Sequence, residues 1–274
     1  MKCSISDLEI DYDIIGSGYP LLMLHGLSLD HRVLSGSLEP IFTKRKGFQR
    51  IYLDLPGMGK TPGVDWIKGS MEMLKVLSGF IEQVLPGKHF AIVGQSYGGY
   101  LARGLLQRLP QRIDGMMLVS PVVHFARSKR NTAVHKVLRK DPALLAELSL
   151  IEAEYFQSSI VLQTRPVWER FRQQILPGIQ LADISFIERI RDIELSFQSE
   201  NNPRLFQGPV TVLMARFDSV VGYKDGLKFY SDFPRATLVL FDSAGHYLQV
   251  EQPALFNAAA LNWISRLRRA VKNR

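Results

Sequence analysis

Two hydrophobic rhythms alternate along most of this chain: short unbroken apolar runs, and longer stretches in which apolar residues recur every third or fourth position. The first is the mark of a strand buried on both faces, the second of a helix with one buried stripe. Alternation from Ile5 to Ile15, closed by Gly16-Ser17-Gly18-Tyr19-Pro20, reads as a hairpin leading into the run Leu21-Leu22-Met23-Leu24. Arg50-Ile51-Tyr52-Leu53-Asp54-Leu55 reads as a strand ending at Pro56-Gly57-Met58-Gly59. Ser70 to Val84 carries Met73, Leu74, Leu77, Phe80, Ile81 and Val84 on one helical face. The run Phe90-Ala91-Ile92-Val93 leads into a helix over Tyr100 to Leu109, with Leu101, Leu105 and Leu106 apolar, and Met116-Met117-Leu118-Val119 follows. Strands separated by helices in this order predict an α/β fold: a parallel sheet covered on both faces.

Beyond about Val122 the strands give way to short helical stretches. Asp141-Pro142 opens one as cap and first-turn proline; Pro166 to Leu176 makes a second, closed by Pro177-Gly178; Asp183 to Phe197 makes a third. The alternation returns with Val210 to Met214, a helix near Tyr223 to Tyr230, the strand Thr237 to Phe241 and a last helix from Pro253 to about Val271. The chain therefore divides into a core of residues 1–121 and 208–274 and a helical insertion of residues 122–207. It contains no internal repeat and no low-complexity segment.

At 274 residues with 46% hydrophobic content, the chain has enough apolar material for one sizeable core. Its first residues carry a charge where a signal peptide needs its apolar run, no stretch approaches membrane-spanning length, and the single cysteine, Cys3, reads as a strand residue. A cytoplasmic protein without a membrane partner is expected. The net charge of +8 gathers at Lys44-Arg45-Lys46, Arg127 to Lys140 and Arg266 to Arg274. No base-stacking aromatics interleave these clusters and no recognition motif accompanies them, so they read as solvated faces and no nucleic-acid partner is expected. Gly57-Met58-Gly59-Lys60-Thr61 resembles the end of a phosphate loop, but the first glycine it needs falls at Asp54, and Pro62 obstructs the helix.

The chemistry centres on Gly94-Gln95-Ser96-Tyr97-Gly98. A strand that turns straight into a helix at a serine forces that serine into a strained conformation, and the residues two before and two after it nearly touch. Gly94 and Gly98 suit that demand, and the hydroxyl of Ser96 then stands at a helix N-terminus, as a nucleophile requires. A serine hydroxyl needs an imidazole base. Of six histidines, His246, in Ser243-Ala244-Gly245-His246 just past the last strand, emerges on the same sheet edge. His25 and His31 belong to a loop beside the site, His89 begins the nucleophile strand at its far end, and His124 and His135 lie at or in the insertion. Asp218, on the loop after the Val210 strand, is the favoured acceptor for the ring; Asp242, four residues before His246, is the alternative. The backbone N–H groups of Leu27 and Tyr97 are placed to receive an oxyanion, and the Leu27 side chain also suits a pocket wall.

With these residues assembled, the chain resembles the α/β-hydrolase superfamily over nearly its whole length, in the order Ser96, Asp218, His246 and in the late insertion. The resemblance implies a mostly parallel sheet of eight strands, a helical cap over the site, and no metal or organic cofactor. Relatives that open epoxides or remove halide carry aspartate at the nucleophile position, and aminopeptidase-like relatives carry tryptophan where this chain has Tyr97. The expected activity is hydrolysis of a carboxylic ester or similar acyl bond of a small molecule. Hydrolysis of a carbon–carbon bond in a diketone-type substrate or of a lactone is the alternative, and a ligand receptor that keeps the fold is a non-enzymatic one. Tyr155, Phe156, Trp168 and Phe171 are candidates to line the pocket, with packing of the cap onto the core the favoured role for most of them. The basic stretch Arg127 to Lys140 hints at an anionic substrate, a solvated face again being favoured. Oligomeric state is not legible in the sequence.

Overall fold

A computed structural model of the chain describes residues 1–43, 45–191, 206–230 and 233–272. Its strands are β1 (Lys2–Ile5), β2 (Leu8–Ile15), β3 (Tyr19–Leu24), β4 (Phe48–Leu53), β5 (Phe90–Gln95), β6 (Ile113–Val119), β7 (Arg139–Lys140), β8 (Leu162–Gln163), β9 (Val210–Ala215) and β10 (Ala236–Phe241). Eight of them form one sheet in the order β1-β2-β4-β3-β5-β6-β9-β10, antiparallel at β1–β2 and β2–β4 and parallel from there on. β7 and β8 form a separate parallel pair. The expected hairpin closes at Ser6-Asp7, where Ser6 has φ 56°, and β2 then pairs with β4, not with the run that follows it. Gly18, at φ 115°, lies so close to the Gly47 carbonyl that a side chain there would overlap it, and Tyr19 N–H donates to that carbonyl at 3.0 Å. This packing carries the chain over the start of β4, and β3 enters the sheet on its far side.

The helices are α1 (Arg32–Phe42), α2 (Ser70–Val84), α3 (Tyr97–Arg108), α4 (Pro142–Glu147), α5 (Leu150–Ser159), α6 (Arg165–Gln174), α7 (Leu176–Leu181), α8 (Ile184–Arg191), α9 (Tyr223–Tyr230), α10 (Leu248–Glu251) and α11 (Pro253–Lys272). Side chains of each central strand alternate between two buried layers. Phe90 and Ile92 of β5 pack with Leu77 and Phe80 of α2 and Leu101 of α3, while Ala91 and Val93 face Leu34 and Leu38 of α1 and Trp263 of α11. Among the described residues no helix is long and apolar enough to cross a membrane.

Within the insertion, Asp141 caps α4 as expected, its carboxylate accepting from Leu144 N–H at 3.1 Å. Pro177-Gly178 does not close the second helix. α6 stops at Gln174 and Pro177 sits in the first turn of α7, where its missing N–H costs nothing. The third expected helix is described from Ile184 to Arg191, and its continuation to Phe197 lies outside the described residues. The aromatic rings pack inward. Phe156 meets Trp168 and Phe171 with ring centres 5.2 and 5.3 Å apart, and Phe171 meets Tyr247 of the core at 6.2 Å, whereas Tyr155 faces solvent.

Candidate active site

β5 ends at Gln95 and α3 begins at Tyr97, so a single residue makes the turn, and the helix starts three residues earlier than its apolar spacing predicts. Ser96 has φ 51° and ψ −113°, a region that side-chain-bearing residues rarely occupy. A Cβ on Gly94 would lie 2.6 Å from the Gly98 carbonyl oxygen, and one on Gly98 would lie 2.0 Å from that of Leu24. Both positions therefore exclude any side chain, and the turn brings Ser96 to the carboxyl edge of the sheet. The Tyr97 N–H, first in α3, has no partner among the described residues, nor has the N–H of Leu27. The Tyr97 ring is directed elsewhere, its hydroxyl 2.9 Å from Ser70 Oγ.

Three side chains distant in sequence meet at that edge. Ser96 Oγ lies 3.0 Å from His246 Nε2, and His246 Nδ1 lies 2.9 Å from Asp218 Oδ2. The other Asp218 oxygen accepts from the N–H groups of Val220 at 2.8 Å and Val221 at 3.0 Å. Burial alone would raise the carboxyl pKa; the charge and hydrogen bond of His246 and the two amides outweigh it and hold Asp218 below its ordinary range. A carboxylate cannot donate, so the proton between Asp218 and the ring belongs to Nδ1, and Nε2 presents its lone pair to the Ser96 hydroxyl. This arrangement can draw a proton from a serine and stabilise the imidazolium that results. Asp242 is exposed and forms no part of it.

His25 is fully buried, and burial pushes its pKa down. Its Nε2 accepts from Leu55 N–H at 2.9 Å, which leaves Nδ1–H to donate to the Gly26 carbonyl at 2.8 Å. The neutral ring thus fixes the loop that carries Leu27. His31 pairs with Asp54 at 2.8 Å; His89 stands beside Asp114 at 3.2 Å; His135 donates to the Gln157 carbonyl at 2.9 Å. Asp54 also accepts from Lys60 N–H at 2.9 Å, so the loop 57–61 wraps an aspartate and not a phosphate. Asp30, His31 and Asp54 place possible ligand atoms within 4.8 Å of one another, but Arg32 already grips Asp30, and His31 and Lys60 occupy Asp54. Part of the basic stretch has an internal task that its composition did not reveal. Arg130 donates to the carbonyls of His124 at 2.9 Å, Phe125 at 2.7 Å and Val220 at 3.0 Å, joining the insertion to the Asp218 loop.

A family profile described as the alpha/beta hydrolase fold matches residues 19–253. Among solved structures, an alpha/beta superfamily hydrolase from Oenococcus oeni PSU-1 superposes with a TM-score of 0.87 at 31% identity, covering 94% of this chain and 96% of that one. Among characterised sequences, a pimeloyl-[acyl-carrier protein] methyl ester esterase of Legionella pneumophila (strain Corby) is 32% identical over 119 residues; the match spans 43% of this chain and only 44% of that relative's length. A 2-hydroxymuconate semialdehyde hydrolase of Pseudomonas putida is 24% identical over 262 residues, 91% of this chain and 88% of that one.

Proposed function

The chain belongs to the α/β-hydrolase fold family, and on that premise we propose that it is a serine hydrolase that cleaves a carboxylic ester or related acyl bond of a small molecule through an acyl-enzyme on Ser96. The chain of contacts from Ser96 through His246 to the buried Asp218, at 3.0 and 2.9 Å, carries this proposal. Ser96 Oγ attacks the substrate carbonyl as His246 Nε2 takes its proton. Asp218 stabilises the imidazolium, and the N–H groups of Leu27 and Tyr97 receive the oxyanion. Collapse of the tetrahedral intermediate expels the alcohol, protonated by His246. The neutral ring then deprotonates a water, whose attack on the acyl-enzyme releases the acid and restores Ser96. Residues 122–207 cap the site, with Phe156, Trp168 and Phe171 packing that cap in place.

Carbon–carbon bond hydrolysis with the same residues is the second reading. It is favoured by the Pseudomonas relative, whose similarity runs through 91% of the chain while that of the Legionella esterase covers 43%. A fluorophosphonate probe and a panel of p-nitrophenyl esters, diketone substrates and lactones test both. The chain is expected to label stoichiometrically and turn over esters, and Ser96→Ala to do neither. Turnover of the diketone alone would replace the ester proposal with the second reading. Absence of labelling and of turnover would refute a serine hydrolase and favour a receptor, and Ser96→Ala turnover equal to the parent's would refute Ser96 as the nucleophile.

A further inference from the structure

Glu251, the last residue of α10, is a buried carboxylate with no part in the steps above. One oxygen accepts from the N–H of Gly245 at 2.7 Å, and the other accepts from the N–H groups of Val161 and Leu162, each at 2.9 Å. Gly245 immediately precedes His246, while Val161 and Leu162 lie in the insertion, where β8 begins. The approach is close enough that a Cβ on Gly245 would sit 2.9 Å from a Val161 methyl and 3.2 Å from the Glu251 carboxylate itself. On the other side, Phe217 N–H donates to the Ala244 carbonyl at 3.1 Å. The backbone that presents the imidazole is therefore held on one side by the Asp218 loop and on the other by Glu251.

Building on the serine-hydrolase reading, we propose that Glu251 is a positioning residue: its carboxylate locks Gly245 against the insertion and so keeps the His246 ring within proton-transfer distance of Ser96. Three converging N–H donors need an acceptor on every side, and only a carboxylate offers acceptors alone. A glutamine of the same shape must turn its NH2 against Gly245 or against the insertion, which breaks the tie on that side. The rate then depends on how the insertion is seated, although Glu251 never touches substrate. Burial pushes the Glu251 carboxyl up to about 7; the amides of Gly245, Leu162 and Val161 oppose that rise, and the charge of Asp218 adds to it. Also nearby are His246 and Tyr247 in the adjoining loop and, on α6, Arg170, whose Nε is taken by the Val250 carbonyl at 2.7 Å; the other charged groups of α6 are paired at the surface, Arg165 with Glu147 and Arg172 with Glu169. Protonation turns one acceptor oxygen into a donor and releases one side of the tie.

Glu251→Gln tests the proposal, with active sites counted by the fluorophosphonate end point. Per site, kcat for a p-nitrophenyl ester is expected to fall about 10-fold to 100-fold, the scale of a misplaced catalytic group, with KM within about threefold of the parent. The acid limb of the parent's kcat profile is expected to steepen beyond one proton, and that of the variant to titrate as one. The low-field proton resonance of His246 Nδ1–H is expected to shift or broaden. A variant with a lowered melting temperature but parental kcat per site, acid limb and resonance would overturn the proposal. Should the parent itself neither label nor turn over esters, the serine-hydrolase reading fails, and the resonance alone decides Glu251: displaced in the variant it supports the tie, unmoved it refutes it. If Glu251→Gln does not fold, Glu251→Asp, too short to reach both sides at once, takes its place in the same measurements.

Discussion

Asp218→Asn separates the charge of the buried carboxylate from its shape. In the parent, Asp218 Oδ1 is committed to the N–H groups of Val220 and Val221 at 2.8 and 3.0 Å, and Oδ2 to His246 Nδ1 at 2.9 Å. An asparagine in this place satisfies the two amides only with its carbonyl oxygen, which turns its NH2 toward the ring. Nδ1 must then accept, the ring proton moves to Nε2, and Nε2 donates to Ser96 where it formerly accepted. The base is removed although every heavy atom stays in position. Loss of the correct tautomer in such a relay costs about 10⁴ in kcat, or about 5 kcal/mol of barrier, with the remaining acceleration left to the oxyanion donors and binding. Initial rates on p-nitrophenyl acetate, with folding checked by circular dichroism, measure the deficit, and the rate of fluorophosphonate labelling should fall with it. Asp242→Asn, at an exposed side chain, should stay within about twofold of the parent. Retention of more than about a tenth of parental kcat by Asp218→Asn, or a matching loss in Asp242→Asn, would refute this account of the relay.

Gly98→Ala places a Cβ 2.0 Å from the Leu24 carbonyl oxygen, a backbone atom that moves only with β3, so about 1–3 kcal/mol of destabilisation is expected. Gly87→Ala, with no atom within 4 Å of its Cβ but φ at 64°, carries conformational strain without overlap; equal melting temperatures for the two variants would refute the steric argument at the elbow. At Asp54, burial alone would raise the carboxyl pKa, and the side-chain and backbone hydrogen bonds from His31, with the charge of His31, bring it down to about 2. A carboxyl lowered from 3.8 to about 2 contributes stability, on the order of 2 kcal/mol, that is fully present above the unfolded value and is lost as pH falls from about 4 to about 2. Asp54→Asn should therefore flatten the dependence of melting temperature on pH in that window, and an unchanged dependence would show that the pair makes no net contribution.

The alternation of strands and helices in the core and the position of the serine were legible because each rests on a local signal. β5 carries the unbroken apolar run Phe90–Val93, and the glycines flanking Ser96 answer a steric demand five residues wide. α2 lies within its expected bounds for the same reason, since a helix with one buried stripe repeats its own evidence in every turn. α1 was not legible: Ser35, Gly36, Ser37 and Pro40 weaken its local preference, and Leu34 and Leu38 are helical because they pack beneath the sheet. α5 has a readable start, the Ser149 and Glu152 capping box, but its apolar residues form no single stripe to mark a helix behind it. The tasks of Arg130, His25 and Glu251 were not readable at all. Each side chain bonds to backbone groups, and a carbonyl or N–H has no signature in sequence; only the fold shows which of them converge.

The same backbone bonds bear on how separable the insertion is from the core to which it is bonded. Its first part is tied to the Asp218 loop by Arg130 and by Ala133 N–H to the Asp218 carbonyl at 3.3 Å, and to α9 by Asn131 N–H to Asp225 at 2.8 Å. Its middle is tied to the His246 loop through Glu251, and to α10 through Arg170. Further along, Gln174 accepts from Ser37 of α1 at 2.8 Å and Asp183 N–H donates to the Gly57 carbonyl at 2.9 Å. At about 0.5–1.5 kcal/mol net for each such bond, lifting the whole insertion would cost an amount comparable to the stability of an entire domain. Aromatic packing of Phe171 on Tyr247 adds to that cost. A substrate route that opened the insertion as a rigid lid would release the backbone on both sides of His246 and Asp218 at the moment they are needed. On the proposed function, entry by local movement of side chains and short segments leaves those ties intact, because the loops of Asp218 and His246 are held by the segment proposed to cover them.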